Sequence, residues 1–266
     1  MKKTNHFYRF CALALSCLLL ISLLPVTQVL ADGDGAIHIK SAEDLRSLAH
    51  SCTLDSWSRG KTVVLDNDIE LTDDDELPIP TFGGTFNGNG HTISGLSITQ
   101  SVSPAGLFGV LQKDAVIKNL NVEGTVTPSG DSENIGGIVG ENHGVVINCG
   151  NDANVNTTVD QNEVDLSELT LNDLIGTENA ADITDIGGIA GTSSGVVRAC
   201  LNRGTVGYLH IGYNIGGIVG SQTGYVEGCV NYGPVYARKE GGGIVGQMEP
   251  SSTLLYSQDT LQELGG

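Results

Sequence analysis

The sequence predicts an all-β protein, a right-handed parallel β-helix closed at its start by a short α-helix. Three observations carry this expectation: a glycine-rich block that recurs along the chain, a second pattern in phase with it that alternates every two residues, and an amphipathic stretch ahead of both.

The block Gly136-Gly137-Ile138-Val139-Gly140 recurs as Gly187-Gly188-Ile189-Ala190-Gly191, Gly216-Gly217-Ile218-Val219-Gly220 and Gly242-Gly243-Ile244-Val245-Gly246, with Ala105-Gly106-Leu107-Phe108-Gly109 as a degenerate first copy. The last glycines are 31, 51, 29 and 26 residues apart, and the outlying interval holds an acidic, glycine-poor stretch at about 160–182 that reads as an insertion. In phase with the blocks run Cys149-x-Asn151-x-Ala153-x-Val155, Cys200-x-Asn202-x-Gly204-x-Val206 and Cys229-x-Asn231-x-Gly233-x-Val235. An earlier copy reads Leu120-x-Val122-x-Gly124-x-Val126, and Leu96-x-Ile98 after Ile93 reads as the copy before it.

A two-residue period in short β-branched runs bounded by Gly, Asn and Ser is the signature of strands, not helices. Because each repeat buries its apolar face only against its neighbours, equal coils lay each strand beside its counterpart in parallel. Parallel crossovers make the expected hand right-handed. A β-propeller needs about forty residues and four antiparallel strands per blade, which these intervals do not supply.

A solenoid needs a cap, since its first coil otherwise exposes core and strand edge. Ser41 is placed as an N-cap with Asp44 in the first turn, and Leu45, Leu48 and Ala49 form one apolar face over Ala42 to Ser51. Lys61 to Leu71 is expected to follow as an opening strand pair, turning at Asp66-Asn67-Asp68.

Residues 1–31 read as a secretory signal: Lys2, Lys3 and Arg9 precede the apolar run Cys11 to Leu24, and Val29-Leu30-Ala31 is a small-residue cleavage site. The run is shorter than the roughly 20 residues of a spanning helix, so no membrane span is expected in the mature chain. Cleavage removes three basic and no acidic side chains, taking the formal charge from −18 to −21. So acidic a chain repels nucleic acid, while its apolar content suffices for a core. The expected organisation is a signal at 1–31, a cap with its helix at 32–60, repeats at 61–247 and a helical segment at 248–266, secreted or held at the cell surface.

The glycine blocks resemble the GLUG motif, and Phe86-Asn87-Gly88-Asn89-Gly90-His91-Thr92-Ile93-Ser94-Gly95-Leu96 is similar to the segment that precedes such repeats in bacterial surface proteins. The resemblance covers about residues 37–247. It implies an adhesin-like surface protein, or the accessory region beside the protease domain of immunoglobulin-A-cleaving metallopeptidases; the zinc motif His-Glu-x-x-His of the protease is absent from the sequence. The implied role is adhesion, ligand binding or rigid spacing, with an extracellular protein or glycan as partner. The alternative is a β-helical polysaccharide lyase or hydrolase working through paired carboxylates.

No residue is assigned a catalytic or cofactor-binding role. Asp66, Asp68, Asp73 and Asp75 are the candidate hard-oxygen ligands for calcium, without a recognisable calcium loop around them. Cys149, Cys200 and Cys229 are expected as inward-pointing core thiols, because Leu120 occupies their position in the earlier copy. With Cys52 they make four cysteines in the mature chain, which leaves a bridge open in an exported protein. Asn151, Asn202 and Asn231 are expected to stack as an amide ladder. His91 and His143 sit in glycine-rich turns and are read as turn or surface residues, without a Ser or Cys partner in a recognisable nucleophile context.

Overall fold

The computed structural model describes residues 35–72, 78–129, 132–156, 183–209 and 211–249. The expected signal, the acidic insertion and nearly all of the C-terminal segment lie outside the described residues, as do Asp73 and Asp75.

Each sequence repeat forms one coil of a β-solenoid, and each short apolar run becomes a strand bonded in parallel to its counterparts in adjacent coils. A middle coil runs through Ser132–Gly136, Val139–Asn142, Val145–Ile147 and Gly150–Asn151, one strand in each of four sheets. The next coil repeats these as Ile183–Gly187, Ala190–Ser193, Val196–Arg198 and Leu201–Asn202. Every pairing among the named strands is parallel, which removes the propeller. The two coils flanking residues 157–182 stack in register, Gly136 on Gly187 and Val139 on Ala190.

Register turns the two-residue period into columns. Ile37, Val63, Phe86, Ile117, Val146 and Val197 lie one over another and are all buried. Ile79, Phe108, Val139, Ala190 and Val219 form a second buried column. Each such aliphatic or aromatic side chain contributes about 1.5–3 kcal/mol on burial. Phe82, Phe86 and Phe108 meet edge-on, with ring centroids 5.1 to 6.1 Å apart, and fill the early coils.

The helix forms where the sequence places it, over Ala42–Ser51, with the Ser41 hydroxyl accepting from the Asp44 amide and Leu45, Leu48 and Ala49 buried. It packs on the strands Ile37–Ile39 and Ile79–Phe82. Strand Ile37–Ile39 precedes the helix and already pairs in parallel with Thr62–Leu65. The expected pair over 61–71 does not pair with itself: Thr62–Leu65 and Ile69–Glu70 enter different sheets, and residues 66–68 form the corner between them.

Two early copies are offset from the sequence alignment. Ala105 pairs with Ile135 rather than with Gly136, so the degenerate block is one residue shorter than the others. A bulge between Ile93 and Leu96 places Leu96 beside Gly124, and His91 is the residue in register with Leu120. Gly95 accommodates that bulge at φ +73°, where a side chain would also strike the Leu71 carbonyl.

The two repeat patterns are coupled across the core. A side chain at the second glycine of the pair would collide with the asparagine of the same coil, Gly137 with Asn151, Gly188 with Asn202 and Gly217 with Asn231. The coil that carries Val122 instead of asparagine is the one whose block lacks the glycine pair. Gly243, at the same position in the last coil, faces open space. Gly188→Ala is therefore expected to lower stability by roughly 1–3 kcal/mol through overpacking, while Gly243→Ala leaves the denaturation midpoint nearly unchanged. Equal effects in urea unfolding would remove the steric coupling.

Candidate binding groove

The groove arises at one corner of the solenoid because the turns stacked there differ in length. Gly83-Gly84 links Phe82 to Thr85 and His143-Gly144 links Asn142 to Val145, whereas the intervening coil needs four residues, Gln112 to Ala115, between Leu111 and Val116. The longer turn stands out from the wall, with Asp114 at φ 68°. Beneath it the cap loop ending at Arg59 and Lys61 forms the opposite side, enclosing about 830 Å³.

Hydrogen bonds strap this loop to the corner. Arg59 Nε donates to Gln112 Oε1 at 2.9 Å, Gln112 Nε2 donates to the Asp55 carbonyl at 2.8 Å, and the Gly83 amide donates to Ser58 Oγ at 2.8 Å. Lys61 donates to the Trp57 carbonyl and sits 4.8 Å over the Trp57 ring. Among the described residues, four cations elsewhere meet carboxylates: Lys40 with Asp66, Arg46 with Glu43, Arg198 with Glu227 and Arg203 with Asp152. Arg59, Lys61 and Lys113 have no such partner, and all three line the groove.

At the groove's far end His143 lies in an exposed turn, as the sequence reading has it. Stacking brings Ser194, 51 residues away, over it: Nδ1 lies 2.8 Å from Ser194 Oγ, and Nε2 lies 3.0 Å from Glu141 Oε1. His143 thus has a serine partner that linear spacing concealed. The cluster is open to solvent, and the nearest amides, those of Ser194 and Gly195, both donate to the Asn142 carbonyl. Those two donors are not free to hold an oxyanion, which an acyl-transfer serine requires.

The other candidate residues lie elsewhere. Asn151 Nδ2 donates to Asn202 Oδ1 and Asn202 Nδ2 to Asn231 Oδ1, each at 2.8 Å, while the amides also donate to the carbonyls of Ala153, Gly204 and Gly233. Asn151 and Asn202 are fully buried, so the ladder is structural. Asp66 lies 2.7 Å from His38 Nδ1, and Asp68 accepts from the Thr92 amide at 2.9 Å with His91 at 3.1 Å. These contacts hold the Asp68 carboxyl below its usual range, first through the Thr92 amide and then through His91. Among the described residues no three His, Cys, Asp or Glu side chains converge as metal ligands.

Cys149 and Cys200 are buried, Cys229 is half-buried, and all three are free thiols, as is Cys52. The Cys149 thiol donates to the Ile117 and Ile147 carbonyls and the Cys200 thiol to those of Val146 and Arg198, and the Cys200 thiol is pushed up to about 12, first by its bond to Cys149. Burial pushes Cys52 up from its ordinary 9.0 to about 11.

No family model matches the chain. Over 137 residues it is 31% identical to halomucin of Haloquadratum walsbyi, covering 46% of this chain and 1% of that protein. Over 69 residues it is 36% identical to a "Putative Gly-rich membrane protein" of Evansella cellulosilytica, covering 25% of this chain and 8% of that one. The chain therefore spans only a small part of either relative. Its fold is similar to the crystal structure of a "putative immunoglobulin A1 protease" from Bacteroides ovatus, with TM-score 0.58 and 21% identity over 83% of this chain and 64% of that one. Among the described residues no helix is long and apolar enough to cross a membrane.

Two outcomes follow from the buried columns. Asn202→Leu removes three hydrogen bonds, those with Asn151 Nδ2, Asn231 Oδ1 and the Gly204 carbonyl, and should cost roughly 1.5–4.5 kcal/mol at about 0.5–1.5 kcal/mol per bond; unchanged thermal unfolding would refute the ladder. The raised Cys52 thiol favours the folded state below pH 9.0, and that contribution is lost as pH climbs toward about 11. The thermal midpoint should accordingly fall across that window, and less steeply in Cys52→Ala; parallel profiles would show that Cys52 does not contribute.

Proposed function

We propose that this chain is an exported solenoid module, secreted or held at the cell surface, that binds an extracellular protein or glycan along its wall or holds a neighbouring domain at a distance. The observation that carries this reading is the unbroken stack of buried columns, running from Ile37 through Val197. Such a stack resists bending, because bending separates parallel strands and opens the core on one side. The GLUG resemblance supports the accessory role, the likeness of fold to the Bacteroides chain supports the solenoid architecture, and the signal-like start supports export.

The test is made on intact cells producing the full chain. Expected outcomes are recovery in the surface or secreted fraction, a mature start after Ala31, and capture on a glycan and protein array without cleavage of arrayed polysaccharides. Retention in the cytoplasm with residues 1–31 attached overturns export. Sugar release that disappears in Asp114→Asn replaces the binding reading with a carbohydrate-active enzyme.

A further inference from the structure

We infer that the corner groove is a subsite for an acidic oligosaccharide, a glycan bearing carboxylate or sulfate groups. The inference rests on the binding reading above and narrows it to one face and one ligand class.

Charge distribution is the first argument. The chain has 31 acidic and 13 basic side chains, so three cations gathered on one groove stand against the overall balance of charge. Arg59, Lys61 and Lys113 are nevertheless gathered on one groove without a carboxylate partner, while four other cations are matched to acids. Asp114 is the one acid in the lining. The arrangement leaves a local positive field inside a negative one, which selects an anion in the groove and repels it elsewhere.

The lining decides between sugar and peptide. Thr62 and Thr85 supply hydroxyls and Gln112 an amide; Val110 is the one aliphatic side chain. A peptide would need apolar pockets for its side chains, whereas a ligand carrying hydroxyl groups along its length meets polar groups throughout. The lining comes from the cap loop and three successive coils, spaced by about 4.8 Å per coil, so adjacent sugar units of an extended chain meet adjacent coils.

The geometry predicts what remains when the charges are removed. Lys113 is exposed and makes no side-chain bond that folding needs, and Arg59 contributes one bond to Gln112, which also bonds the Asp55 carbonyl and Thr81. Their neutralisation should leave the fold intact.

Calorimetric titration of the full chain with oligogalacturonate, the neutral galacto-oligosaccharide of equal length, a heparin oligosaccharide and polyglutamate tests the proposal. Expected are binding of one or both acidic sugars, no measurable binding of the neutral sugar, and weakening as salt rises, since the Debye length shrinks from about 10 Å at 0.1 M to 3 Å at 1 M. Arg59→Gln/Lys113→Gln should lose at least tenfold in affinity, Lys113→Gln alone part of that, and the distant Arg198→Gln nothing, with all three retaining the wild-type melting temperature. Equal affinity for the neutral sugar, undiminished binding by the double variant, or stronger binding of polyglutamate overturns the proposal. Failure to bind any of the four also overturns it while leaving the module's spacing role standing; capture of another ligand on the array would then locate the binding face elsewhere.

Discussion

The constraint on which the rest depends is in-register stacking: whatever conformation one coil adopts at a position, the next coil must adopt there too. The corner following the sheet that contains Val145–Ile147 shows this most directly. Asn119, Asn148, Ala199 and Gly228 occupy it in successive coils, at φ 54°, 54°, 50° and 61°. A second column of left-handed residues, Asn134, Asp185, Asn214 and Glu240, interrupts the strands ahead of each glycine pair. Asparagine and glycine tolerate this conformation, but Ala199 and Glu240 hold it at a steric cost of about 1–2 kcal/mol each. Side chains that would choose another backbone are overruled by the coils on either side.

Stacking also decides when a buried polar group is tolerable. In the Asn151 ladder Asn151 and Asn202 donate both to the next rung and to their own turns, Asn231 donates to its own turn, and the column rests on Val122, which has nothing left to satisfy. On another wall Asn142, Ser193 and Gln222 share a column and are buried as deeply. There Asn142 reaches Ser193 at 2.9 Å, but Gln222 is one methylene longer than asparagine, and its buried amide nitrogen and oxygen find no partner. A ladder works when the rungs are identical, because an identical neighbour presents its acceptor at the donor's own height. The sequence repeats Cys-x-Asn three times on one wall and varies the residue on the other, and the hydrogen bonding follows that difference.

Much of the architecture was legible in the chain because the solenoid repeats in sequence what it repeats in space. Helix limits, the amide ladder and the burial of Cys149 and Cys200 follow from local pattern plus period. The offsets at Ala105 and Leu96 were not legible, since a one-residue deletion and a bulge leave the apolar spacing intact while shifting the partner. The sequence also hid the collision between Gly188 and Asn202, two residues that belong to different motifs and meet only across the core. The groove was hidden for a related reason: Arg59, Lys113 and His143 lie in unrelated turns, and only superposition of the coils gathers them. The signal that pointed to it was the non-uniform turn length, four residues from Gln112 to Ala115 where neighbouring coils use two.

That irregular turn gains meaning from the regularity around it. A solenoid wall is a poor place to concentrate charge, because identical neighbours sit about 4.8 Å away and like charges stacked at that spacing repel. On this protein two wall cations meet that problem by pairing with acids one coil over, Arg198 with Glu227 and Arg203 with Asp152. Arg59 and Lys113 reach the groove from turns of different length, at different heights and from opposite sides, so their charges are not stacked. An irregular corner beside the cap can therefore hold three unpaired cations that a uniform wall would disperse. Mutual repulsion is reduced further when an anion enters between them, which makes the ligand a contributor to local order as well as a guest.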